Sequence, residues 1–393
     1  MIFKKILTFL KLITKAKYVF REPLKKDLLI FDGESIEELK YILSSFKYEV
    51  LETRVYRIKT IYITPKIIYL TFINNNKDLF NSYLLTILDL VRPKVVFTFI
   101  DNSFKFSKFA SLRQKKYKFL ALQNGARYEH KIFTELFKKR IINKKFNFFI
   151  PYFLCFGKNE IEDFKKYKQK INDFSKVGSL KVSNFILAQK NKKISNLKPK
   201  NDILLISDIY CWDSIIEKLN FPLEESVAKL IKFAIKYSRE NNKKFKLATR
   251  NTKDSFKKEN NFYKKNLNRE EYNYLKKNIF FRKGPYDTYK QMLNSKIVIG
   301  TMSTMLRENL SLGGKSLSCN FTKTNIFDFP INGICNLKNC EYSVFYQRLK
   351  KILSISHKNY LSRLSKDVPY LVFKDKNKST IDLVKSQLNF HLN

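Results

Sequence analysis

The stretch Lys296–Phe321, KIVIGTMSTMLRENLSLGGKSLSCNF, restricts the fold more than any other part of the chain. Lys296–Ile299 reads as a buried strand, Gly300-Thr301-Met302 as a tight turn, Ser303-Thr304 as a helix start and Gly313-Gly314 as its stop. Ser316–Cys319 then reads as a second strand. Two short apolar runs on either side of one helix predict a right-handed βαβ unit of a parallel sheet. In such sheets a ligand sits beyond the carboxyl ends of the strands, where helix N-termini point. The N–H groups at 303–306, the two hydroxyls of Ser303 and Thr304, and the helix dipole therefore predict an anion site. Glu308 lies one turn further in, on the face of Thr304, within reach of sugar hydroxyls. Ser303 or Thr304 can instead simply cap the helix. A capping box, however, places its acid three residues after the cap, where this chain has Leu306 or Arg307. Glu308 is thus not accounted for as a cap.

The same alternation of short apolar runs and helical patterns extends in both directions. In the first half, strands are predicted at Leu28–Phe31, Tyr48–Tyr56, Lys94–Ile100, Lys118–Leu122 and Phe148–Phe156, with one or two further short runs in Ile61–Phe72. Helices are predicted from Asp32-Gly33-Glu34-Ser35 to about Ser45, and over Tyr83–Val91, Ser103–Gln114 and Lys158–Lys170. Residues 181–200 are dominated by Lys, Asn and Ser and read as a linker. A second alternation follows: strand Asp202–Ser207, helix Leu223–Glu240, strand Phe245–Thr249, a Lys/Asn-rich insertion at 251–277, strand Ile279–Phe281 and helix Tyr286–Leu293. Further helices are predicted at Tyr342–Ser354 and Ser379–Phe390. The pattern predicts an α/β protein with two Rossmann-like domains facing across a cleft. Its expected parts are an N-terminal amphipathic helix (1–22), a first domain (23–185), a linker (186–200), a second domain (201–355) and a helical tail (356–393).

At 393 residues the chain has room for two domains of ordinary size. Its formal net charge of +42 points at first to nucleic acid or an anionic membrane. The lysines are scattered through every segment, though, and no clustered Arg with interleaved aromatics, zinc spacing or nucleic-acid motif appears, which argues against nucleic acid. The five cysteines are odd in number and none has C-x-x-C spacing, which fits free thiols in a reducing cytoplasm and argues against a structural metal. Residues 1–20 are apolar but interrupted by Lys4, Lys5, Lys11 and Lys15, so they hold no uncharged run long enough to span a bilayer. They also lack the unbroken apolar core and cleavage site of a signal peptide. Ile2, Phe3, Ile6, Phe9, Leu10 and Ile13 fall on one helical face. Such a helix can lie in the plane of an anionic membrane or dock on the protein's own core.

Several of these pieces resemble GT-B glycosyltransferases. The residues that carry the resemblance are Gly178-Ser179 at the end of the first half and Gly300-x-x-Ser303-Thr304-x-x-x-Glu308, with Gly313-Gly314-Lys315 after it. Asn309 stands where the family usually has Ala. More narrowly, LLIFDGES, LQNG and TMSTMLRE look like a family of bacterial surface-carbohydrate biosynthesis proteins, and LQNG looks like the Q-x-G turn of capsule and teichoic-acid transferases. The resemblance implies transfer of a sugar from a nucleotide-sugar donor to a surface polysaccharide, such as capsule or O-antigen, or to its lipid-linked precursor. The nucleotide-sugar is a substrate, and no separate cofactor is implied. It also implies a cytoplasmic location, peripheral at the inner face of the cell membrane. Sugar 2-epimerases share the donor corner, but they need a histidine beside the sugar in a chain that has only three. A non-catalytic nucleotide-sugar-binding protein of an assembly complex would keep the same corner and need no base.

By that resemblance Ser303 and Thr304 hold the donor's phosphates, Glu308 its ribose, and Gly178, Ser179 and Gly300 line the same pocket. Arg250 and Arg282-Lys283 leave their strands toward this edge, where fixed positive charge stabilises a departing phosphate. No DxD-like metal motif stands at a strand end, so basic residues and the helix dipole are expected to replace a divalent ion. The general base is expected from the first half, within hydrogen-bond reach of the acceptor hydroxyl. Asp32 and Glu34 are the leading candidates, although Asp32 can equally cap the following helix. His130 is a further candidate, and Asp101 stands in reserve. Gln123, Asn124 and Gly125 either bind acceptor hydroxyls or shape a turn.

Overall fold

The computed structural model describes residues 16–74, 78–143, 146–189, 199–209 and 223–393. Two six-stranded sheets organise them, each parallel throughout, together with a small two-stranded pair. The pair joins β1 (Lys17–Val19) to β4 (Thr60–Tyr62). The first sheet holds β2 (Leu28–Phe31), β3 (Tyr48–Leu51), β5 (Val95–Thr98), β6 (Lys118–Leu122), β7 (Phe149–Cys155) and β8 (Lys170–Lys176), in the order β3-β2-β5-β6-β7-β8. The second holds β9 (Asn201–Ile206), β10 (Phe245–Ala248), β11 (Ile279–Phe280), β12 (Ser295–Gly300), β13 (Ser316–Asn320) and β14 (Asn336–Lys338), in the order β11-β10-β9-β12-β13-β14. The second order is that of a doubly wound dinucleotide-binding sheet, and the first is its flavodoxin-like relative. In each sheet the chain reverses direction once. These switch points lie between β2 and β5 and between β9 and β12, and each opens a crevice at the carboxyl ends of its strands.

The central strands are buried on both faces, as parallel sheets require, and this is why they read as continuous apolar runs. Elements that depart from this rule differ from expectation. β8, KINDFSK, is a largely exposed edge strand with no apolar run to mark it. The segment Pro65–Ile73, expected as strand, is a helix: Thr64 caps it through Ile67 N–H and Pro65 occupies its first position. Of the amphipathic helix expected over 1–22, residues 1–15 lie outside the described residues, and Lys17–Val19 is strand rather than helix. The Lys/Asn-rich insertion folds as helices Lys257–Asn266 and Arg269–Lys277, anchored by buried Phe262, Tyr263 and Leu275.

The expected linker is also corrected at its start. Leu180–Gln189 is a helix with Leu180, Val182 and Phe185 buried, while 190–198 lie outside the described residues. Phe185 stacks on Tyr289 of the second domain at 5.2 Å, so this helix belongs to the domain interface. The expected tail likewise returns to the first domain: Ile381, Val384 and Leu388 of the last helix, Thr380–Leu392, pack with Leu28, Ile30, Leu39 and Ile42. The chain thus crosses between domains twice, and one apolar core runs from Tyr128, Ile132 and Phe185 into the second sheet.

Candidate functional site

The two switch points and the interface between them hold nearly all the residues singled out from sequence. At the second switch point β9 ends in Ser207-Asp208, and β12 runs into Gly300-Thr301-Met302. The Asp208 carboxylate is buried and accepts the N–H groups of Thr301 (2.6 Å) and Met302 (3.1 Å). It therefore occupies the amides just ahead of the helix Thr304–Ser311, next to the 303–306 N–H groups where an external anion is expected from the sequence. Burial pushes its pKa up to about 6, against the opposing pull of these amides and of Arg250. Beside it the buried Thr301 hydroxyl finds no hydrogen-bond partner among the described residues. Ser303 caps the helix through Met305 N–H at 3.3 Å, and it stays partly exposed. Arg250, Arg282 and Lys283 are exposed residues that follow the ends of β10 and β11.

Thr304, Arg307 and Glu308 of this helix reach across to the first domain. Thr304 Oγ1 accepts Ala126 N–H at 2.7 Å, and a β-carbon on Gly125 would lie 3.1 Å from that oxygen. The Gln123-Asn124-Gly125 turn therefore docks on the helix start, and its glycine permits the close approach. Tyr128 donates its hydroxyl to the Met302 carbonyl at 3.1 Å. Arg307 forms a buried ion pair with Glu160 of the helix Lys158–Lys166. Glu308 is buried as well: Ser179 donates to one of its oxygens at 2.7 Å and Tyr289 to the other at 2.8 Å. In this arrangement Glu308 joins the domains, and a ribose would have to displace Ser179 or Tyr289 to reach it. Asn309 donates to the Lys315 carbonyl and the Ser316 hydroxyl and so ties the helix to β13.

At the first switch point Asp32 follows β2 with φ 72°, a left-handed conformation that an Asp tolerates at modest cost. Its buried carboxylate accepts from Thr53 (3.0 Å), from Arg54 Nε (2.9 Å) and from Glu34 N–H (3.1 Å). Glu34 pairs with the same arginine and is the more exposed of the two acids. Lys105 donates to the Thr53 carbonyl, and burial pulls its pKa down. Asp101, beyond β5, is buried against Arg127 and accepts Asn124 N–H at 3.1 Å. Burial raises its pKa although the guanidinium opposes the shift.

Two expected roles change here, those of Gly178 and His130, and Gln123 takes the turn-shaping one of its two expected roles. Gln123 is completely buried: its amide donates to the Gly125 carbonyl and accepts Phe156 N–H, so it shapes the turn and has no group left for an acceptor. Gly178, expected at the donor, has φ +81°, and a β-carbon on it would come within 2.4 Å of the Phe373 carbonyl. It accommodates the returning C-terminal segment instead. His130, a candidate base, is fully buried on the helix Glu129–Lys138. Its Nε2 pairs with Asp163 at 2.8 Å and its ring lies against Phe164 and Tyr167, so no substrate hydroxyl reaches it in this structure. Asp163 is held below the usual carboxylate range: burial works against it, but His130 and Lys131 outweigh that.

Sequence reasoning missed Asp208, although it stands at a strand end just as Asp32 and Asp101 do. It also missed the Arg307–Glu160 pair, for which no local pattern exists because the partners are 147 positions apart. Among the described residues no group of three His, Cys, Asp or Glu side chains is placed to hold a metal ion.

No protein-family model and no curated protein matches the sequence. Solved structures do. The wall teichoic acid polymerase TagF with CDPG is 9% identical, with a TM-score of 0.51 over 94% of this chain and 89% of that one. MnaA of S. aureus with UDP is 14% identical, with a TM-score of 0.55 over 94% and 97%. The UDP-GlcNAc 2-epimerase of Methanocaldococcus jannaschii, in complex with UDP-GlcNAc and UDP, is 12% identical, with a TM-score of 0.52 over 92% and 99%. What these identities share is architecture: the chain has the GT-B fold, with two Rossmann-like domains meeting along the carboxyl ends of their strands.

Proposed function

We propose that this protein is a glycosyltransferase that moves a sugar from a nucleotide-sugar donor to a surface polysaccharide or its lipid-linked precursor at the inner face of the cell membrane. The observation that carries the reading is the second switch point. There the backbone amides of Thr301, Met302 and Ser303 and the charge of Arg250 act on a single carboxylate, and the same turn carries the Ser303 hydroxyl and a Thr301 hydroxyl without a partner among the described residues. Such a corner suits a diphosphate once Asp208 is protonated or displaced. The fold neighbours crystallised with UDP and with CDPG support a nucleotide ligand for this fold.

At departure of the nucleotide, negative charge grows on the leaving phosphate. Arg250, with Arg282 and Lys283 nearby in the fold, and the start of the helix Thr304–Ser311 would stabilise it without a metal. The base comes from the opposite edge. All three acids pair with an arginine, but Asp32 and Asp101 are buried, and Glu34 is the more exposed carboxylate able to meet an acceptor hydroxyl, with Arg54 and Asp32 positioning it. A 2-epimerase is the alternative within the same fold. None of the three histidines favours it: His130 is enclosed, His357 lies near Lys315, and His391 packs on Tyr152.

The test is a thermal-shift screen against UDP, GDP, CDP, CMP and dTDP, with Arg250→Ala as control. A ligand that binds only the native state raises the melting temperature. One nucleotide should do so in the wild type and lose most of its effect in the variant. A folded sample that responds to none of them overturns the donor site.

A further inference from the structure

We infer that the helix Pro65–Ile73, together with Phe20, is the surface by which this protein sits on an anionic lipid bilayer. The inference deepens the proposed use of a membrane-linked acceptor. The helix sequence, PKIIYLTFI, carries one charge, Lys66 in its first turn, and apart from Thr71 is otherwise apolar. Ile67 and Thr71 face inward and are buried. Ile68, Tyr69, Phe72 and Ile73 face outward and are between 49% and 68% exposed. They form two i, i+4 pairs, so a continuous apolar stripe points away from the domain. A surface helix of a globular protein carries charge on that side, and an outward face this apolar marks a contact.

Phe20, 80% exposed, belongs to the same surface. It follows β1, which pairs with β4, and Ile63 N–H donates to the Val19 carbonyl immediately ahead of it. Lys66, in the first turn of the helix, bridges back to Glu22 at 2.8 Å. Phe20 and the helix are therefore held together by strand pairing and an ion pair.

Two observations select an anionic bilayer as the occupant. The first is charge. Lys17, Arg21, Lys25, Lys59 and Lys66 are exposed around β1, β4 and the start of the helix; of the exposed acids Glu22, Asp27 and Asp78, Glu22 is engaged by Lys66 and Asp78 caps the next helix. Apolar side chains ringed by cations suit acidic headgroups over acyl chains. The second is the chain that leads into this surface. The fifteen residues before Ala16, MIFKKILTFLKLITK, are apolar and lysine-bearing, and they enter β1, the strand beside the helix. No helix among the described residues is long and apolar enough to cross a membrane. β4 also links the surface to the first switch point: Lys59, Thr60 and Tyr62 line a cavity of about 590 Å³ together with Gly33, Glu52 and Arg57.

The experiment is partition of the full-length protein onto phosphatidylcholine vesicles with and without phosphatidylglycerol, measured by flotation, for wild type and the double variant Phe72→Glu/Ile73→Glu. Both side chains are exposed, so the variant should melt where the wild type does. Wild type should float with the anionic vesicles, and the variant's partition should fall by about a hundredfold. Equal partition of the two proteins overturns the inference. So does a variant that changes only the oligomeric state, which would make the face a contact between copies. A second measurement uses Phe72→Trp in a Trp212→Phe background. Its emission should shift to the blue only when anionic vesicles are added and should be quenched by brominated lipid. Blue emission without vesicles means that the chain covers the patch itself, which also overturns the proposal. Neither readout needs a nucleotide, and retention of the nucleotide-induced melting shift in Phe72→Glu/Ile73→Glu separates this surface from the donor site.

Discussion

The two switch points each set a carboxylate at the end of the first strand of the sheet, and they hold it in opposite ways. Asp32 is paired mainly with side chains of its own domain, the Arg54 guanidinium and the Thr53 hydroxyl. Asp208 is held by backbone, the amides of Thr301 and Met302, with Arg250 nearby as the cation. A guanidinium is a dedicated partner that matches a carboxylate. A pair of amides beside a helix start accepts any anion of suitable shape. The first carboxylate is therefore fixed in place, while the second fills a site that another anion can take over. Under the proposed function, this difference corresponds to acceptor chemistry at one edge and donor binding at the other.

The two edges act together only if held face to face, and the Arg307–Glu160 pair is one of the buried contacts that hold them, beside Ser179–Glu308 and Ala126–Thr304. Both side chains of the Arg307–Glu160 pair are buried, at 4% and 2% exposure. Arg307→Ala leaves Glu160 with an uncompensated buried charge and should cost about 3–5 kcal/mol in chemical denaturation. Arg54→Ala at the other edge should cost about 1–3 kcal/mol, because its side chain is 33% exposed and water can replace it. Equal costs would mean that the domains are not pinned through this pair.

Most of the fold was legible because parallel strands buried on both faces are written as apolar runs, and β6 matches its expected boundaries, Lys118–Leu122. Legibility fails where burial is one-sided or supplied by the other domain. β8 is exposed and polar, and Leu180–Gln189 looked like linker because the partner of Phe185 lies more than 100 positions away. The helix Pro65–Ile73 had a local signal, Thr64-Pro65, that its apolar content obscured. For the site, Ser303, Thr304 and Glu308 were found through the helix start they share. Their contacts could not be read, since Ala126, Ser179 and Tyr289 reach them only through tertiary folding.

The two edges should also separate by pH. The Asp208 pKa rises from an ordinary 3.8 to about 6 on folding, so the native state holds this proton after the unfolded chain has lost it. Below both values the group has no effect. As pH rises from about 4 to about 6 it costs the native state progressively more, up to about 3 kcal/mol. Asp208→Asn removes that term. Its stability relative to wild type, from urea unfolding at each pH, should climb over this window and then stay level. At neutral pH Asp32→Asn has the opposite sign, since it leaves Arg54 short of a partner and should destabilise by about 1–3 kcal/mol. A flat difference curve for Asp208→Asn would mean that the amides fully offset burial.

The smallest effect bears most directly on function. If Asp208 holds the place of a phosphate, its negative charge and the nucleotide compete for the Thr301 and Met302 amides and for Arg250. Asp208→Asn keeps the shape of the side chain and an oxygen that can accept from these amides, but it removes the repulsion. Calorimetry at neutral pH should show the preferred nucleoside diphosphate binding about tenfold more tightly, worth roughly 1.4 kcal/mol. Asp32→Asn should leave that affinity unchanged, because its network lies on the other domain. The competition should also weaken in the wild type as pH falls toward 6, where Asp208 takes up its proton, and Asp208→Asn should lose that dependence. A variant that binds more weakly would reverse the assignment: Asp208 would then be a direct partner of the ligand rather than its stand-in. The contrast between a fixed acceptor edge and an exchangeable donor edge would fail at that point.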